Sequence, residues 1–301
     1  MKLPTIKQLR YFIALEQHQH FGNAAKACFV SQSAFSVAIK ELEAHLGAQL
    51  VDRTNKSVTI TRTGREIANH ARLCLRDIEY LAELAHSDQK PLTGRLNLGV
   101  IPTIAPFVLP SLVPSLRTQF PELKLYLRED TTKNLHNLLI EGELDLILIA
   151  LPYKLSNVEI MPLYKDQFSL ACHKNSKLID PKNYSLGKLP KESVLLLEDG
   201  HCLRDHALSA CKIRNQDTVS RFAASSLLTL VSMVDSDIGI TYLTEMAKDS
   251  SLLANTDIKT YPLDEKSYRE IGLAWRKGSA REEEFRILGK TIRDAQKKQA
   301  N

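Results

Sequence analysis

The sequence predicts a mixed α+β and α/β chain: a winged helix-turn-helix, a long linker helix, then a larger α/β region. Three observations carry this. A helix, a tight turn and a second helix are followed by a polar-tipped hairpin within the first 64 residues. The next two dozen residues hold neither proline nor glycine up to Pro91 after Gly64, and their apolar positions recur at 4-3-4-3-4 spacing. From about residue 93 onward, strand-like and helix-like segments alternate. The domains expected are a winged helix-turn-helix at 1–64, a linker helix at 65–90 and an α/β region at 91–301.

In the first module, residues 6–18 read as a helix with Leu9, Phe12, Ile13 and Glu16 on one face. FGNAAKACF, at 21–29, reads as a short second helix. The third, QSAFSVAIKELEAHLG, has Ser31 as N-cap and Gly47 as its stop. Ala24, Ala25 and Cys28 are small enough for two helices to cross closely. This suits a DNA-reading pair, and it also suits any small helical bundle. The following segment, LVDRTNKSVTITRTG, tips the balance, because it reads as a hairpin with Thr54, Asn55 and Lys56 at its tip. A reading helix followed by a basic hairpin is what a winged helix-turn-helix needs. Gln32, Ser33, Ser36 and Lys40 would face outward on the third helix, with Ser31 at its start. Arg53, Lys56 and Arg62 suit contacts to phosphates, which set affinity and its salt dependence.

The linker follows from Arg65, with Ile67, Ala71, Cys74, Ile78, Leu81 and Ala85 forming a heptad seam. A helix packed on its own domain is the alternative, and the regular spacing favours a dimer seam. Beyond it, RLNLGVI, LKLYLRE, DLILIAL, QFSLACHK, SVLLLED and IGITYL read as strands, as does 269–275. Helices are expected from near Thr103, over NLHNLLIEGEL, from His201, near Ser225 and over 280–298.

The 301 residues are 44% apolar and 25% charged, the profile of a water-soluble globular chain. The longest apolar run, LDLILIAL, is far short of the ~20 residues of a membrane span. The start, MKLPTIKQLRYF, lacks the apolar stretch of a signal peptide, so a cytoplasmic setting is expected. A net charge of +5 allows a polyanionic partner without requiring one. Five cysteines is an odd count, at variance with a secreted disulfide framework.

Two of them, Cys202 and Cys211, stand nine residues apart in LLLEDGHCLRDHALSAC. On one helix this separation is a rise of about 13.5 Å and places the sulfurs on opposite faces. A disulfide needs Cα atoms roughly 5.5 Å apart, so the two can bond only if the helix comes apart. Cys202 falls at a helix start, where the dipole, His201 and Arg204 would all favour a thiolate. Cys211, deeper in the helix, has only Lys212 as a basic neighbour. The asymmetry suits an attacking and a resolving thiol. Two inert core cysteines are the plain alternative. A zinc site with His201 and His206 is disfavoured by the spacing, and no C-x-x-C motif supports an oxidoreductase. Cys28 and Cys172 read as core residues.

The segment AAKACFVSQSAFSVAIKELEAHLGAQLVDRTNKSVTITRTG resembles the DNA-binding domain of LysR-type transcriptional regulators. The resemblance rests on Ala24–Ala25, Ser31–Gln32, Ser36, Leu42–Glu43, Leu46–Gly47, Leu50, Arg53, Thr61 and Gly64. Ser33 stands where the family usually has proline, and Val37 also departs from its pattern. It implies an operator-binding activator working with RNA polymerase, and a homodimer or homotetramer paired through the linker helix. The α/β region resembles the regulatory domain of the same family, two subdomains like a periplasmic binding protein. By that analogy one subdomain is 93–164 plus 268–301 and the other 165–267. Ligands of that architecture bind in the cleft between the two.

LLEDGHCLRD and GVIPTIAPFVLPSL further resemble the hydrogen-peroxide-responsive, OxyR-like branch of this family. That resemblance implies that Cys202 attacks peroxide and that Cys211 condenses with the sulfenic acid. It also implies that Thr103 and Thr132 hold peroxide and that His201, Arg204 and Asp205 tune the thiolate. A cellular reductant such as glutaredoxin or thioredoxin would reset the switch, and no cofactor or metal is implied. Arg221, Ala223, Asp237 and Thr244 depart from the branch's pattern, standing where histidine, arginine, glycine and proline are common.

Overall fold

The structure is a computed structural model and describes residues 3–53, 58–86, 91–180, 189–211, 213 and 216–299. Contacts divide the chain into two units, residues 1–90 with 138–143, and residues 91–137 with 144–301.

The first unit begins with three helices, α1 (Ile6–His18), α2 (Phe21–Ala27) and α3 (Gln32–Leu46). A two-stranded antiparallel hairpin, β1 (Val51–Arg53) and β2 (Val58–Ile60), leads into α4 (Arg62–His86). Thr5 and Gln8 close a reciprocal capping box at the start of α1. The buried face of α1 is Gln8, Tyr11, Phe12 and Leu15; of the expected Leu9, Phe12, Ile13 and Glu16, Phe12 is fully buried and Leu9 packs at the edge of the core, while Ile13 and Glu16 are half-buried. The helix is turned so that Tyr11 stacks on Phe35 of α3 and Glu16 reaches Arg72 of α4 at 2.6 Å. Helix α2 stops two residues earlier than expected, because Phe29 adopts a left-handed φ of 57° to make the tight turn. Ala24 and Ala25 are fully buried beneath it, where larger side chains would hold the helices apart.

The hairpin is anchored by burial of Leu50, Val51 and Ile60 in the core and by backbone recognition. Glu43 Oε1 accepts from the Leu50 and Val51 amides at 2.8 and 3.1 Å, tying the end of α3 to the first strand. Thr61 Oγ1 accepts from the Gly64 amide at 2.9 Å and starts α4. Gly64 itself packs so closely on the Leu50 carbonyl that no Cβ fits there.

The second unit is built on a seven-stranded mixed sheet. Its strands are β3 (Gly94–Val100), β4 (Leu123–Glu129), β5 (Leu146–Leu151), β6 (Val158–His173), β9 (Thr241–Thr244), β10 (Ile258–Pro262) and β11 (Tyr268–Arg276), in the order β10-β6-β11-β5-β3-β4 with β9 also on β6. The strands β3, β4 and β5 are parallel, as alternation with α5 (Ala105–Gln119) and α6 (Thr132–Ile140) requires. A separate parallel pair, β7 (Val194–Leu197) with β8 (Val219–Ala224), carries α7 (Cys202–Ala210) between its strands. Helices α8 (Leu227–Asp235), α9 (Glu245–Lys248) and α10 (Glu282–Gln299) complete the unit.

Sequence patterning misses β8 and β10 and shortens β6. Strand β6 is 16 residues long, and its burial alternates irregularly because it changes partners along its length. Residues 158–167 pair with β11, whereas residues 168–173 pair with β9 and β10. Helix α5 runs through Pro110 and Pro114, which a propensity reading places before the helix rather than inside it. Among the described residues, no helix is long and apolar enough to cross a membrane.

Candidate functional site

Two sites emerge, one in each unit. In the first, Ser31 caps α3 by accepting from the Ala34 amide at 3.3 Å, and its hydroxyl meets that of Ser33 at 3.1 Å. Gln32, Ser33 and Lys40 are exposed and Ser36 half-buried on the same helix. Val37 is 54% exposed among them, a methyl-bearing surface suited to apolar contact with a thymine. Arg62, at the base of the hairpin, is exposed and pairs with Glu66 at 3.3 Å, an i,i+4 contact that a phosphate can replace. Arg53 closes β1, while its side chain and the tip residues Thr54, Asn55 and Lys56 lie outside the described residues. On α4, Cys74, Ile78 and Leu81 are exposed, and Leu81 is 68% so. Ala71 is buried within the unit, and nothing is described of the Ala85 side chain.

The second site surrounds α7. His201 occupies the N-cap without a side-chain capping bond, and Cys202 is the first helical residue. Cys211 is not deep in the helix, as its sequence position suggests, but is the C-cap that ends it. Both thiols are buried, in different surroundings. Cys211 sits in an apolar core with Leu195, Leu203, Ala207 and Tyr242. Burial pushes its thiol up to about 12.

Cys202 faces polar groups instead. Burial pushes its thiol up too, opposed first by the charge of Arg269 and then by the Thr132 hydroxyl. The expected drop from the helix start, His201 and Arg204 is therefore outweighed by desolvation. Arg204 is turned away, with Nε on Asp199 at 2.9 Å and Nη1 donating to the Leu197 carbonyl at 3.3 Å. Asp205 raises the Cys202 thiol further, so its charge opposes the thiolate.

The cation that does act on Cys202 is one the sequence reading missed. Arg269 is 1% exposed, at the start of β11. Its Nε donates to Asp166 at 2.9 Å, and Nη1 and Nη2 donate to the Thr103 hydroxyl and carbonyl, each at 2.9 Å. Thr103 is thus fixed by Arg269. Thr132 Oγ1 is buried and has no settled partner, leaving its hydroxyl free to favour a charge on the Cys202 sulfur. A sequence signal existed: YREIGLAW is a strand pattern apolar toward its end, and an arginine at its start needs a buried partner. Nearby, His206 Nε2 lies 3.1 Å from the Pro152 carbonyl, and burial lowers its pKa, keeping the ring neutral.

A cavity of about 470 Å³ opens beside this site, lined by Thr103, Phe107, Glu129, Leu197, His201 and Leu228 among others. Among the described residues, no group of three or more His, Cys, Asp and Glu side chains could hold a metal ion. Of the departing residues, Arg221 is exposed on β8 and reaches Glu192 at 3.2 Å, and Ala223 is exposed two residues on. Asp237 takes a left-handed φ of 53°, the conformation that explains a preference for glycine there. Thr244 is the N-cap of α9 with φ −84°, a backbone that proline shares.

Residues 6–65 match the bacterial regulatory helix-turn-helix protein, lysR family, and residues 89–297 match the LysR substrate binding domain. The transcriptional regulator EstR of Acinetobacter baylyi is 38% identical over 95% of this chain and 95% of its own length. The hydrogen peroxide-inducible genes activator of Escherichia coli O6:H1 is 35% identical, over 96% of this chain and 95% of its own. A full-length OxyR variant from Pseudomonas aeruginosa superposes with a TM-score of 0.79 at 34% identity, covering 97% of this chain and 96% of that one.

Proposed function

Because this chain belongs to the LysR family of bacterial helix-turn-helix transcriptional regulators, we propose that it binds operator DNA and switches transcription in response to hydrogen peroxide at Cys202. The observation that carries this reading is the buried constellation around that sulfur. Arg269 supplies positive charge, Thr132 a free hydroxyl, and Thr103 a hydroxyl held by Arg269. The thiolate, once formed, attacks one peroxide oxygen. The O–O bond breaks, Cys202 becomes a sulfenic acid, and hydroxide leaves and takes a proton as water. The Cys211 sulfur then displaces the sulfenic oxygen as a second water, giving the disulfide. Two thiols are oxidised and one peroxide is reduced to two waters.

Helix α7 holds the two cysteines a helix length apart, so bonding requires its unwinding. That rearrangement is the signal, relayed to operator contacts of a homodimer or homotetramer paired through the exposed seam of α4. A thiol reductant of the glutaredoxin or thioredoxin type would restore the helix, and contact with RNA polymerase would turn operator binding into activation. The names of the peroxide-inducible relative and of the OxyR structure support this reading.

A second reading keeps DNA binding and moves the signal to a small metabolite. The cavity of about 470 Å³ beside Thr103 favours it, as does the likeness to EstR, whose name carries no reference to peroxide. The deciding experiment treats reduced protein with equimolar peroxide and maps disulfides by mass spectrometry. A Cys202–Cys211 linkage, absent in Cys202→Ser and replaced by a trapped sulfenate in Cys211→Ser, is the expected result. Unmodified cysteines, together with metabolite-dependent thermal stabilisation, would sink the peroxide reading.

A further inference from the structure

His206 stands one helical turn after Cys202 on α7, and both side chains are buried, 8% and 6% exposed. An i,i+4 pair shares a helix face, with Cβ atoms about 5–6 Å apart. The imidazole is held in one tautomer. The Pro152 carbonyl, just after β5, can only accept, so His206 Nε2 at 3.1 Å carries the hydrogen. Nδ1 is then the ring's lone pair, and it is buried with no hydrogen-bond partner. Burial keeps the ring neutral, so that lone pair is open to a proton. A second buried polar atom is in the same position, the Thr132 hydroxyl that acts on the Cys202 sulfur. Buried polar atoms left unpaired are costly, and they mark where a guest with O–H groups is welcome.

We propose that His206 Nδ1 is the base and then the acid of the peroxide step at Cys202, an inference that rests on the peroxide reading of that site. At rest Cys202 is a thiol. Its proton must leave before the sulfur attacks, and a proton must reach the departing oxygen. With peroxide hydrogen-bonded to Nδ1, one relay serves both needs. The near peroxide oxygen takes the thiol proton as it passes its own to Nδ1. The thiolate attacks that oxygen, the O–O bond breaks, and its electron pair goes to the far oxygen. The far oxygen takes the proton from Nδ1 and leaves as water. Cys202 is left as the sulfenic acid, oxidised by two electrons, and His206 is neutral again.

The surroundings of the ring suit a brief protonation. Burial opposes an imidazolium most, the Pro152 carbonyl favours it, Arg269 of β11 opposes it and Asp205 of α7 favours it. A base that holds its proton weakly also returns it readily.

The test follows loss of the Cys202 thiol by mass spectrometry in the reduced full-length protein. Peroxide is compared with iodoacetamide, whose iodide leaves without a proton. His206→Gln keeps an N–H for the Pro152 carbonyl and an acceptor oxygen, but it cannot take a proton. Its peroxide rate should fall about tenfold or more near neutral pH, while its iodoacetamide rate stays within about threefold of the parent. Between pH 6.5 and 9.0, the ordinary values of the two groups, which the fold moves further apart, the parent's peroxide rate should be flat. In His206→Gln hydroxide must replace the base, and the rate should rise about tenfold per pH unit. Equal losses toward peroxide and iodoacetamide, or an unchanged peroxide rate and pH profile, overturn the proposal and leave the peroxide reading standing. A parent inert to peroxide overturns both. Should His206→Gln unwind α7, seen as fast amide exchange, His206→Ala with added imidazole decides. Recovery of the peroxide rate supports the base, and no recovery overturns it.

Discussion

At Cys202 two opposing influences act on one sulfur. Desolvation favours the neutral thiol, while Arg269 and Thr132 favour the anion, and desolvation is the larger. The site therefore rests as a thiol with its activating groups already in place. Arg269 is central because it also neutralises Asp166, both side chains being essentially inaccessible to water. Arg269→Gln should leave a buried carboxylate uncompensated and cost about 3–5 kcal/mol in denaturant unfolding. It should also shift the pH–rate profile of Cys202 alkylation to higher pH. Cys211 offers a second check at this scale. Its thiol ionises near 9.0 when unexceptional and near 12 when folded, so the unfolded chain loses its proton first as pH rises. Stability from this group is fully present below pH 9 and lost towards pH 12. The decline across that window should be shallower in Cys211→Ala than in the parent, by roughly 2–4 kcal/mol at its upper end. Asp237 shows the cost of a departure from glycine: a left-handed backbone and a buried carboxylate oxygen without a partner.

At the level of elements, α7 is the part with two jobs. It packs Leu203, Ala207 and Cys211 into an apolar core while presenting Cys202 to polar groups. Forming the disulfide must remove those packing contacts. Hydrogen exchange should therefore show the Cys202–Ala210 amides protected in reduced protein and rapidly exchanging after oxidation. Helix α4 has the complementary character, a regular helix with an apolar stripe left uncovered. Leu81→Lys places charge in that stripe and should weaken self-association at least tenfold by sedimentation, with little loss of helicity. Helices α1 and α7 also show what periodicity leaves open. Periodicity placed α1 correctly and set its buried face wrong by a fraction of a turn, since the face depends on three neighbours at once. It likewise carried α7 past Cys211, where the chain in fact stops being helical.

Across the whole molecule, a LysR-type helix-turn-helix unit is joined in one chain to a LysR substrate binding domain whose sheet is shared along β6. Because β6 pairs with β11 over one half and with β9 and β10 over the other, both halves of that unit hang on one strand. Arg269 lies on β11, paired with Asp166 of β6, so it sits within that sheet and not on a loop. At the other end, affinity for DNA should follow phosphate contacts. Arg62→Ala should lower the slope of log K against log salt by about 1 in operator-binding titrations, uniformly across sequences. Gln32→Ala should instead relax base preference.

Much of this was legible in the chain. Local rules located the capped α3, the left-handed Gly47, the hairpin after it, the uninterrupted linker helix and the cysteine pair whose spacing forbids a bond on an intact helix. Each depends on neighbours within a few residues, where propensity, capping and periodicity act directly. Arg269, Asp166 and Thr103 form one hydrogen-bonded cluster from positions far apart in sequence, and no local pattern announces such a meeting. The state of the Cys202 thiol was decided the same way. A helix start and basic neighbours argue for a thiolate, but burial is a property of the packed whole, and in the folded chain it outweighs them.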